Sequence, residues 1–238
     1  MPTVALPALV AHAAAALLIA SVPVAAWFWL RRRFGLAWRD IGVGAAVFVV
    51  FALVLERTLH LYLLQLNPTT AHWLRMPALF VIYGALMAGV FEQSGRWIGL
   101  RFLVRKPGDA ATPVAYALGH AGIEAWLVGA ASQATIHAML AQLSPWLALG
   151  AVSERVAAML IQFTLPLVVW HAVRQRRFVI VVLAVLLHAL ADLPAALYQV
   201  HVLPLAVTEA IYAVAAVLLA ATCWPPQGGR KIGESSLR

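Results

Sequence analysis

Three short segments pair acidic with basic side chains at helical spacing: Glu92 with Arg96, His120 with Glu124, and His188 with Asp192. Residues four apart lie on one stripe of a helix. A carboxylate and two histidines within reach of one point can activate water by two routes. In the first, Glu92 acts as a general base and a histidine stabilises the developing oxyanion. In the second, His120, His188 and a carboxylate such as Glu124 hold a metal ion, zinc for example, that lowers the pKa of a bound water. Glu124 and Asp192 would then orient the imidazoles or serve as ligands. Either route hydrolyses a polar bond.

A further group of charges comprises Glu56, Arg57, Glu154, Arg155 and Glu209, with His60 beside the first two. Opposite signs nearly balance there, so interhelical ion pairing is the plain expectation. Glu154 and Arg155 could instead line an entrance to the site.

The elements that carry these groups must be membrane spans. Of 238 residues, 63% are hydrophobic and 11% charged. A soluble domain carries roughly 25% charged residues. No globule of this length can hide so much apolar surface from water, so the solvent is lipid. Apolar runs of spanning length fall at about 5–30, 41–65, 77–99, 112–133, 150–173, 178–198 and 204–223. The expected fold is all-α, a polytopic transmembrane bundle of about seven spans. One transmembrane domain would cover 1–224, followed by a short cytoplasmic tail over 225–238. Pro166 and Pro194 lie inside spans and are candidate kinks.

The formal charge of +8 does not point to nucleic acid, because the basic residues sit in short clusters between apolar runs. These are Arg31, Arg32, Arg33 and Arg39; Arg101, Arg105 and Lys106; Arg174, Arg176 and Arg177; and Arg230, Lys231 and Arg238. With the N-terminus outside, all four clusters fall on the inner side, as the positive-inside rule requires of an odd span count. The first run is read as a retained span, since it lacks a basic leader and is followed by the triple arginine. A multi-pass protein of the cell membrane, most simply a bacterial plasma membrane, is expected. Cys223 is the only cysteine, so neither an internal disulfide nor a cysteine metal site can form. His12, His72, His137, His171 and His201 are given structural or surface roles. Gly84, Gly89, Gly119, Gly122 and Gly129 read as small residues for close helix packing.

A charge at the bilayer centre costs about 2.5–3.5 kcal/mol on insertion scales, so the intramembrane charges should face one another. At about 1.5 Å rise per residue, Glu92 lies roughly 10 Å from the inner face, His120 about 12 Å and His188 about 15 Å. The three pairs could therefore converge on one polar cavity.

The same residues resemble a known group. Glu92-Gln93-Ser94-Gly95-Arg96 is similar to the E-E-x-x-K/R motif of PrsW-type membrane proteases. His120-Ala121-Gly122-Ile123-Glu124 is similar to the acidic end of their F-x-x-x-E motif, and His188-Ala189-Leu190-Ala191-Asp192 to their H-x-x-x-D motif. With Phe91 and Gly119 included, the context most resembles the YhfC family of intramembrane metalloproteases, which belongs with the group containing the CAAX-processing proteases. The resemblance implies proteolysis of a membrane-embedded or membrane-proximal peptide. It implies Glu92 as the water-activating carboxylate, His188 as oxyanion stabiliser or metal ligand, and Glu124 and Asp192 as assistants. Two positions depart from the pattern. Gln93 stands where the group often has a second glutamate, and His120 replaces the phenylalanine. Buried acids and histidines also suit a proton- or ion-coupled transporter, and Gln93 suits an inactive scaffold. Axial haem ligation by His120 and His188 is a further reading.

Overall fold

The structure, a computed structural model, describes residues 6–104, 111–132 and 144–223. The described residues are helical, with no strand among them. Helix α1 is Leu6–Phe34, α2 is Trp38–Leu66, α3 is the short Pro68–Trp73, and α4 is Pro77–Leu103. Helix α5 runs from Ala111 through Glu124 and on through Ala125–Ala130. Helices α6, α7 and α8 are Pro145–Gln175, Phe178–Gln199 and Leu205–Cys223. Arg105, Lys106, His137, Trp224, Arg230, Lys231, Arg238 and the tail 225–238 lie outside the described residues.

Local chemistry sets the boundaries. Gly35, at φ 61°, ends α1 in the left-handed conformation that glycine adopts without strain, so the helix carries the triple arginine and stops just after it. The Asn67 side chain caps α3 by accepting from the amides of Thr69 and Thr70, and Pro68 takes the first helical position. Ser144 and Pro145 start α6 in the same way, with the Ser144 hydroxyl accepting from the Trp146 amide. Pro77 opens α4. Widened π-type turns occur at Val49–Glu56, Tyr62–Leu66, Gly99–Leu103 and Ala125–Ala130. Such turns add a residue to the helical repeat and shift the face that follows.

Six of these helices are long and apolar enough to cross a membrane: α1, α2, α4, α6, α7 and α8. Sequence reading predicts seven spans. The remaining one, α5, forms as a helix, and over its described residues it is not among the six. It is also wrapped by its neighbours, and every residue from Thr112 to Gly122 is buried. The six are coated instead by exposed apolar side chains, among them Leu17, Phe28, Ile82, Leu183, Leu190 and Val217, which suit lipid contact.

Helix α5 packs along α2, and α4 packs along α7. Helix α6 crosses behind them, touching α1, α5, α7 and α8. Glycine allows two of these approaches. A Cβ on Gly44 would strike the Tyr116 carbonyl oxygen, and one on Gly119 would strike the Ile41 carbonyl oxygen, so α2 and α5 meet backbone to backbone. A Cβ on Gly89 would stand 2.7 Å from the Val185 carbonyl oxygen and 3.4 Å from the Cβ of His188. That contact seats α4 against α7 one turn before Glu92.

Candidate active site

Glu92 and Arg96 come from α4, His120 and Glu124 from α5, and His188 and Asp192 from α7. The structure brings all six into one region, together with residues of α6 and α8. The Oε2 atom of Glu92 is its centre. Arg96 donates to it from NH2 at 2.6 Å, Gln162 donates from Nε2 at 3.0 Å, and His120 Nε2 stands 3.1 Å away. The same guanidinium nitrogen lies 2.9 Å from His120 Nε2 and donates to Gln162 Oε1. Among the described residues no hydrogen bond engages Glu92 Oε1. Arg96, Gln93 and His120 are fully enclosed. A buried carboxylate needs a cation and hydrogen bonds around it, and here Arg96 and Gln162 supply both.

His188 is held differently. The Gln93 side-chain amide donates to Nδ1 at 2.8 Å, and Nε2 lies 3.3 Å from Asp192 Oδ2. An accepting Nδ1 leaves the proton on Nε2. The departure of Gln93 from the glutamate pattern thus has a local consequence: it fixes the tautomer of His188 and makes Nε2 a donor.

A cavity of about 210 Å³ opens beside Glu92 and His188. Its wall includes Glu124, Gln162, Asp192, Thr208 and Tyr212, with Glu154, Arg155 and Glu209 also lining it. Arg155 donates to Glu124 Oε1 at 3.0 Å, and reaches Glu154 from Nε at 3.2 Å and from NH2 at 2.5 Å. The methylene stem of Arg155 lies against Gly129, where a Cβ would stand 2.7 Å from its Cδ, so that glycine makes room for the side chain.

The charges expected to form a second polar layer therefore divide. Glu154, Arg155 and Glu209 belong to the cavity. Glu56 instead contacts its own helix: its Oε1 lies 3.1 Å from His60 Nε2, and His60 Nδ1 lies 2.5 Å from the Tyr83 hydroxyl. Arg57 is exposed. Adjacent residues of a helix point about 100° apart, and here Glu56 takes the buried direction and Arg57 the exposed one. Sequence reading missed Gln162, Gln93 as a partner of His188, Thr208 and Tyr212. The one signal for Gln162 was an amide inside an otherwise apolar run.

The donor set that could hold a metal is Glu92, His120 and Glu124, whose ligand atoms all lie within 4.8 Å of one another. One imidazole and two carboxylates suit a divalent ion of the zinc kind. Two buried atoms, His120 Nδ1 and Glu124 Oε2, have no hydrogen-bond partner. The residues fit in type and spacing. Arg96 supplies positive charge to the same atoms of Glu92 and His120, so a metal ion there would compete with it. His188, expected as a ligand, is outside this set on spacing.

The family model described as YhfC intramembrane metalloprotease matches residues 17–140 and 130–213. The chain is also 33% identical over 228 residues to the "Uncharacterized membrane protein YhfC" of Bacillus subtilis (strain 168), an alignment that covers 83% of this chain and 88% of the relative. This chain belongs to the YhfC family. The two matched stretches together take in every residue of the site just described, from Glu92 to Tyr212. Family membership and the six apolar helices make this YhfC relative a multi-pass membrane protein of all-α fold. No solved structure matches the chain.

Proposed function

We propose that the chain is an intramembrane peptidase that hydrolyses a peptide bond of a membrane protein or membrane-proximal peptide, with Glu92 activating the water. The observation that carries this reading is Glu92 itself: one carboxylate oxygen is clamped by Arg96, Gln162 and His120, and the residue lines a polar cavity shared with His188. A carboxylate held by one oxygen keeps its direction, and the other oxygen is left to take a proton from water.

The steps follow from the donors present. Glu92 accepts the water proton as oxygen attacks the carbonyl carbon. His188 offers Nε2–H to the developing oxyanion, with Gln93 holding the ring and Asp192 beside the same nitrogen. Glu92 then returns the proton to the leaving nitrogen. Glu92, His120 and Glu124 would hold a divalent ion, zinc by donor chemistry. Such an ion, when bound, makes water more acidic. The family description names a metalloprotease, which supports that assignment.

The test is cleavage of membrane peptides by the purified chain in lipid vesicles, read by mass spectrometry. Glu92→Gln removes the base and keeps the shape. Turnover should fall by about 10²- to 10⁴-fold, the usual contribution of a general base. Undiminished cleavage by a correctly inserted Glu92→Gln protein would discard the proposal.

A further inference from the structure

The cavity beside Glu92 carries more carboxyl groups than the two-route chemistry uses. Five carboxylates line it: Glu92, Glu124, Glu154, Asp192 and Glu209. Two guanidinium groups answer them, Arg96 behind Glu92 and Arg155 in the wall. The donors of Arg155 are committed to Glu124 Oε1 and to both oxygens of Glu154. Asp192 has only the His188 contact, and Glu209 has no hydrogen bond among the described residues. Such an excess of acids over bases suits a cationic occupant.

A further atom points the same way. Thr208 Oγ1 is buried and without a partner, and Thr208, 5% exposed, lines the cavity. A buried acceptor left unpaired is unfavourable, so a donor belongs there.

The spacing narrows the cation. Among the described residues the one group of acids and histidines close enough to share a metal ion is Glu92, His120 and Glu124. Asp192 and Glu209 do not belong to such a group. Acceptors spread around a chamber of about 210 Å³ suit an organic cation on an apolar stem better than a bare ion. An ammonium group offers three donors and no acceptor. The cavity offers Glu209 and Thr208 Oγ1 without donors, and Ala195, Val128 and Tyr212 as the less polar wall.

We infer that the outer part of this cavity, walled by Thr208, Glu209 and Asp192, is a specificity subsite for a basic side chain, lysine or arginine, of the membrane-embedded substrate. The inference rests on the peptidase reading for the word substrate, but its test reads binding alone. A lysine in an apolar helix is unfavourable at mid-bilayer. The subsite replaces the lost water with carboxylates, so it selects helices that carry that residue.

The experiment uses the full chain in phosphatidylcholine vesicles, so that the lipid itself carries no net charge to attract lysine. The probes are a dansyl-labelled apolar 20-residue peptide with one central lysine and its twin with norleucine there. Energy transfer from protein tryptophans gives each apparent affinity. The lysine peptide should bind at least ten-fold more tightly than its twin. Glu209→Gln and Thr208→Val, which preserve size, should each reduce that preference to three-fold or less while the norleucine peptide binds as before. Equal binding of the two peptides by the unaltered chain overturns the inference, and so does a preference that survives both substitutions. A chain that prefers lysine yet cleaves nothing would strike only the peptidase reading. Cleavage without lysine preference would strike only the subsite.

Discussion

Glu92 and His188 are both buried histidine-or-acid positions in apolar helices, yet their neighbours give them opposite hydrogen-bonding lives. Glu92 takes several contacts on one oxygen. His188 accepts from Gln93 and so keeps its proton on the other ring nitrogen. The metal assignment also separates them, since Glu92 belongs to the candidate set and His188 does not. Zinc measured in purified protein by elemental analysis should be retained in His188→Ala, at about the one-per-chain level of a single site, and lost in His120→Ala. Loss in both variants, or in neither, would contradict a Glu92, His120 and Glu124 set. From the sequence alone the two histidines are equivalent, since each has an acid four residues on. Only the tertiary partners tell them apart: Gln93 for one, Arg96 for the other. Those partners could not be read from spacing because they come from another helix. Arg96 was legible as a partner of Glu92 one turn away, but its reach to His120 and Gln162 was not.

Among the elements, span positions were legible and their faces were less so. Hydropathy located α2, α4, α7 and α8 to within a few residues, because lipid exposure leaves a plain compositional mark. It could not show the widened turns. The turn at Ala125–Ala130 begins immediately after Glu124, and that at Val49–Glu56 ends on Glu56. A heptad or 3.6-residue projection loses register across such a turn. The small residues were legible as packing positions, and two of them bear on the site. Gly119 precedes His120 and lies on the Ile41 carbonyl. Gly119→Val should push α5 away from α2 and displace His120 from Glu92. A cost of about 1–3 kcal/mol is expected from overpacking. Thermal unfolding in detergent measures the loss, and Gly150→Val, where a Cβ meets nothing within 4 Å, is the control. Equal unfolding temperatures for the two variants would refute the close α2–α5 approach.

At the scale of the whole molecule, composition alone gave the solvent and the class: a helical membrane protein with its charges turned inward. The count of spans was harder, because α5, which carries His120 and Glu124, is not among the six helices that qualify by their own composition. Its residues from Thr112 to Gly122 are buried by its neighbours. The arginine asymmetry predicts an odd number of crossings, one more than the six helices that qualify.

The enclosure of α5 bears on biogenesis. Partitioning from the translocon favours a segment by its own side chains, and this one carries a histidine, a glutamate and a proline. Until α6 arrives, Glu124 lacks Arg155 and Glu92 lacks Gln162. A nascent chain halted before Pro145 should therefore leave α5 outside the lipid or be destroyed by quality-control proteases. One halted after Gln175 should retain it. Glycosylation-site mapping of α5 in truncated chains reads this directly, and full insertion of the shorter chain would show that α5 partitions unaided.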